Sequence, residues 1–124
     1  MLKRIAVSAV VVASALVAAV FASAVPAQAT SANGCTYPRV CFYKTSTNWE
    51  NNDPTAAYQD ITSGYQTLGS NSAGSYYVYN TRNDDVAYIR FSGGAVRCIL
   101  PNHGIAAGED GYANGIRISS SSTC

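Results

Sequence analysis

The sequence predicts an all-β sandwich built from two Greek-key units, on three observations. Short β-favouring runs recur between clusters of Gly, Asn, Asp, Ser and Pro. No segment after Ala29 sustains a helical period. The runs also repeat at an offset of about 39 to 40 residues, so the chain reads as two similar units, about 35–80 and 81–124. Two such units packed face to face bury both apolar surfaces and shield sheet edges.

The runs are "RVCFYK" (39–44), "AAYQDI" (56–61), "SYYVYN" (75–80), "VAYIRF" (86–91), "AVRCIL" (95–100) and "GIRIS" (115–119). In the last, Ile116 and Ile118 share one face while Arg117 points away, the alternation of a half-buried strand. "VAYIRF-SGG-AVRCIL" reads as a hairpin, because glycine supplies the positive φ of its turn. "NTRNDD" (80–85) reads as a polar turn. Laying "AAYQDITSGY" (56–65) over "AVRCILPNHG" (95–104), and "SYYVYN" over "GIRISS", exposes the repeat.

Residues 1–29 stand apart. Lys3 and Arg4 precede an unbroken Ala/Val-rich run that closes on Ala27-Gln28-Ala29, the pattern of a secretory signal and its cleavage site. Pro26 and the lack of a basic flank afterwards argue against a membrane anchor. The expected mature chain, Thr30 to Cys124, is roughly 95 residues, one small domain that a core alone stabilises only marginally. Without Lys3 and Arg4, six cations face seven carboxylates, with no charge runs. Nucleic acid and membrane are therefore not expected partners, and a secreted monomer is expected.

Cys35, Cys41, Cys98 and Cys124 all lie in the exported part, as a disulfide framework would. Of three possible pairings the spacing favours Cys35–Cys41 and Cys98–Cys124. By loop entropy these contribute roughly 2 and roughly 3.5 kcal/mol. A zinc site is disfavoured, since there is no C-x-x-C and only one histidine.

The opening "CTYPRVCFYK", a C-x5-C loop followed by an aromatic strand, resembles that of secreted actinobacterial proteins in the metalloproteinase-inhibitor family, which have a β/γ-crystallin-like fold. "LGSNSAGSYYVYN" and "GYANGIRIS" are similar to the loop and strand that end each crystallin-type motif. The resemblance implies inhibition of a thermolysin-type secreted metalloprotease. Val96-Arg97-Cys98-Ile99 matches the family's approach to its reactive bond, making Cys98 and Ile99 the inhibitory-loop candidates, with Ile99 as the specificity residue. The sequence departs from the family in "ILPNHG", which lacks the cysteine that closes the reactive ring.

The resemblance also implies calcium sites, since calcium takes several hard oxygens. Only Asn71, Ser75 and Asp110 keep the expected residue types, so both sites read as degenerate and no cofactor is expected. The alternatives are therefore a structural or calcium-binding crystallin-like protein, or an antimicrobial toxin of that fold.

Catalysis is not expected. His103 is the lone histidine, and the cysteines are expected to be oxidised. A small secreted ribonuclease is the rival enzyme reading, with Glu50 or Glu109 paired to His103, and Arg97 or Arg90 on the phosphate. That family's N-terminal helix finds no counterpart in the periodicity. Trp49, set among polar residues in "TSTNWENNDP", is a partner-binding candidate whose loss should leave stability nearly unchanged. The tyrosines of "SYYVYN" are expected mainly in the core.

Overall fold

A computed structural model describes residues 31–124; the segment read as a signal peptide lies outside them. Eight strands in these residues form two antiparallel sheets. β1 (Val40–Tyr43), β2 (Ala56–Tyr58), β4 (Tyr77–Asn80) and β7 (Gly104–Ile105) make the first sheet, in the order β2-β1-β4-β7. The second has the order β3-β8-β5-β6, from β3 (Gln66–Thr67), β5 (Val86–Phe91), β6 (Val96–Ile99) and β8 (Ala113–Ser119). The third strand of each half thus crosses to the other sheet: β3 pairs with β8, and β7 with β4.

The core lies where the inward residues of both sheets meet. Val40, Phe42 and Val78 from the first sheet pack with Ala87, Ile89, Phe91, Ile99, Ile116 and Ile118 from the second. Alternation decides which side chains these are. Tyr88 and Arg90 remain partly exposed between buried neighbours in β5, as Arg117 does in β8. The β5–β6 hairpin turns through Gly94 at φ 90°, a left-handed conformation that glycine adopts without a Cβ clash.

Five strands fall within the β-favouring runs, and β8 contains the sixth, starting two residues earlier at Ala113. The two-residue strands β3 and β7 lie outside the runs, because pairing across the sandwich, rather than local composition, makes them strands. A helical turn, α1 (Ser46–Glu50), also differs from expectation. It is too short to show a period, and a capping box stabilises its start. The Thr45 hydroxyl accepts from the Asn48 N–H, and Asn48 Oδ1 accepts from the Thr45 N–H. A 3-10 turn spans Ala107–Glu109.

Disulfides join Cys35 to Cys41 and Cys98 to Cys124, the pairing the spacing favours. The first braces the entry to β1; the second ties the chain's last residue to β6. The turn 80–85 is polar in composition yet largely internal, with Asn80, Thr81, Arg82 and Asp85 all buried. Arg82 Nε donates to Asp85 Oδ2 at 2.6 Å, and its Nη1 reaches the carbonyls of Pro38 and Gln59. Burying this charge pair is tolerable because its hydrogen bonds are satisfied.

Candidate functional site

The strand β6 runs into the loop Leu100–His103, where Pro101 removes a backbone donor and the ladder stops. Asn102 takes φ 59°, a left-handed conformation in which asparagine is enriched. The His103 N–H donates back to the Leu100 carbonyl at 3.2 Å, closing the turn.

Neighbouring elements hold the loop from beneath. The Asn80 Nδ2 group donates to the carbonyls of Ile99 and Leu100 at 3.2 and 3.3 Å, and to that of Asp85. The Asn102 N–H donates to the Arg82 carbonyl at 3.1 Å, and the Asn80 N–H to the His103 carbonyl at 2.9 Å. The Tyr79 hydroxyl donates to the Asn102 carbonyl, and Asn102 Nδ2 to Asn83 Oδ1. Strand β4 of the first sheet and the 80–85 turn therefore fix one four-residue backbone. Above it Leu100 is 42% exposed, beside exposed Asn102 and His103.

This geometry corrects the inhibitory-loop assignment. Cys98 and Ile99 lie within β6, opposite Tyr88 and Ala87 of β5, and not on a loop. Cys98 is bridged to Cys124, and the Ile99 side chain is buried in the core. An inward side chain cannot enter a protease pocket without dismantling the sandwich. The exposed apolar residues of this stretch are Val96, at the start of β6, and Leu100, one position past Ile99 on the loop, which the motif did not single out. The signal available in the sequence was Pro101, which ends the strand immediately after it.

Trp49 also departs from expectation. The turn α1 lays it against the outer face of the first sheet, stacked on Tyr77 with ring centroids 3.8 Å apart and planes at 26°. Tyr43 meets it edge-on at 4.9 Å. With Cys35, Cys41 and Tyr79 these rings form a second, smaller apolar cluster. The Trp49 ring is thus packed, and only partly exposed. Burial pushes the Tyr43 hydroxyl up to about 12, helped by Tyr79 and Tyr77, and it donates to the Asn33 carbonyl at 2.6 Å. Tyr77 is raised in the same direction, again chiefly by burial.

The calcium candidates are spoken for individually. The Asn71 carbonyl accepts from the Thr55 hydroxyl, Ser75 is fully buried with its Oγ donating to the Ser72 carbonyl, and Asp110 pairs with Arg97 at 2.6 Å. Among the described residues no three His, Cys, Asp or Glu side chains are grouped to hold a metal ion.

The ribonuclease set is dispersed. His103 Nδ1 contacts the Pro101 carbonyl at 2.7 Å and must be its donor, since a carbonyl only accepts. Glu50 lies on α1, Glu109 on the 3-10 turn, and Arg90 on the outer face of the second sheet. Among the described residues no hydrogen bond or ion pair joins any of them to His103. An open cleft of about 450 Å³ lies beside Arg39, Tyr58, Asp60 and Gln66, with one cation and one carboxylate in its lining. No family model, no curated protein and no solved structure matches the chain.

Proposed function

We propose that this chain is a secreted binding protein of β/γ-crystallin type that inhibits a metalloprotease through Leu100. The observation that carries the reading is an exposed leucine on a backbone whose two flanking carbonyls, Ile99 and Leu100, are tethered by the buried Asn80 amide. A protein inhibitor loses affinity to every loop rotamer it must freeze, so prior immobilisation raises binding. Hydrogen bonds donated by Asn80 and Tyr79, and one accepted by the Arg82 carbonyl, here take the part of the missing ring disulfide. Because the Ile99 carbonyl is held from inside, the loop offers a side chain to an apolar pocket, not a peptide bond to the protease zinc.

The exchange of β3 and β7 between sheets supports the paired Greek-key reading. The disulfides are consistent with an extracellular protein, and no helix among the described residues is long and apolar enough to cross a membrane.

The test is a titration of the oxidised protein against a thermolysin-type metalloprotease, with a serine protease in parallel. Stoichiometric inhibition of the metalloprotease alone is expected, weakened about 100-fold in Leu100→Asp, the loss of a central apolar anchor. No inhibition at micromolar excess, or equal inhibition by Leu100→Asp, overturns the reading.

A further inference from the structure

The outer face of the second sheet carries two arginines whose guanidinium groups lie over aromatic rings. In the β5–β8 register Tyr88 stands opposite Arg117, and Arg90 opposite Gly115. A Cβ at position 115 would lie 2.9 Å from the Arg90 guanidinium, so glycine there lets the side chain lie across β8. A register irregularity beside Arg90 leaves Asn114 outside the ladder, and its Oδ1 accepts from Arg90 Nε at 3.0 Å. The Tyr65 ring centroid is 5.0 Å from the Arg90 guanidinium and 5.8 Å from that of Arg117, and the Tyr88 centroid is 4.3 Å from that of Arg117.

Neither guanidinium meets a carboxylate among the described residues, whereas Arg82 and Arg97 each do. Arg90 keeps its Nη1 and Nη2 donors, and Arg117 all of its donors, free of protein acceptors among those residues. Two like charges that share one ring repel each other, and an oxyanion held by both guanidinium groups offsets that repulsion while engaging their planar forks.

We propose that Arg90 and Arg117 bind the carboxylate of an acidic polysaccharide. β5 and β8 are interior strands whose backbone groups are paired, so the face offers a peptide no strand to extend. Nucleic acid carries a charge about every 1.7 Å of duplex, and would bring its phosphates against the seven carboxylates elsewhere on residues 31–124. A glycan with one carboxylate per sugar ring brings a single carboxylate to an isolated pair of cations, and the exposed Thr67, opposite Gly115, adds a hydroxyl to the same face.

The experiment is a calorimetric titration of the oxidised protein with an oligogalacturonate, with its methyl ester and with single-stranded DNA of equal charge. Saturable binding of the oligogalacturonate alone is expected. Arg117→Gln should weaken it about tenfold or more, Arg117→Lys by less, and Arg97→Gln not at all. Near-UV circular dichroism identifies any variant that fails to fold, and Arg90→Gln gives an independent second test of the pair. The proposal is overturned if the oligogalacturonate does not bind, if the ester binds equally, or if folded Arg117→Gln and Arg90→Gln bind like the parent. Tighter binding of the DNA would overturn the polysaccharide in favour of a nucleic acid.

Discussion

The side chain of Asn80 and the backbone carbonyl of Ile99 are joined by a 3.2 Å hydrogen bond, although Asn80 ends a strand of the first sheet and Ile99 ends one of the second. The same amide group reaches Leu100 and Asp85, and Asn80 Oδ1 accepts from the Arg82 N–H. One buried carboxamide therefore couples the sheets, the turn between β4 and β5, and the loop that presents Leu100.

Asn80→Ala should be costly, because it strands several buried backbone groups at once. A loss of about 3 kcal/mol is expected in urea denaturation, with an unchanged dependence on denaturant. A loss below about 1 kcal/mol would mean that water or a local shift replaces the amide.

Removing one member of the Arg82–Asp85 pair leaves an uncompensated buried charge. Asp85→Asn should destabilise by about 3 kcal/mol or more, while the apolar double variant Arg82→Met/Asp85→Leu should recover part of that loss. A double-mutant cycle with no coupling would show that the Arg82 bonds to Pro38 and Gln59 carry the effect.

Trp49→Ala is expected to lower stability by about 2 kcal/mol, since the ring is stacked on Tyr77 and only partly exposed. Trp49→Phe should restore much of it. An unchanged melting temperature in Trp49→Ala would return the residue to the role of a free binding group.

Alkali should expose Tyr43. Its folded value is raised from 10.0 to about 12, so over that window the unfolded chain has released a proton that the folded protein retains. Its stabilising contribution is therefore complete below pH 10 and is lost as pH climbs through about 12, with Tyr77 acting in the same direction. In Tyr43→Phe, the decline in stability across that window should flatten. An identical decline in parent and variant would assign it to other groups.

Much of this was legible in the sequence, and the legible part was local. Alternation in "GIRIS" placed Ile116 and Ile118 inside and Arg117 outside, and cysteine spacing favoured the two disulfides, because strand period and loop closure depend on near neighbours. The Cys98–Ile99 assignment failed because a motif says nothing about which side of a strand faces the core. Trp49 looked unpartnered because Tyr43 and Tyr77 reach it from two separate strands.

Short-range pattern is enough to specify an all-β, disulfide-stapled chain and most of its strands, since period two and turn residues act over a few positions. Stacking of the sheets, in contrast, makes "NTRNDD" an internal hub, leaves Leu100 displayed on its loop, and lays Arg90 across Gly115 beside Tyr65. Each of these depends on groups distant in sequence satisfying, or failing to satisfy, one another's charge and hydrogen bonds, and that matching is settled only once the two sheets are stacked.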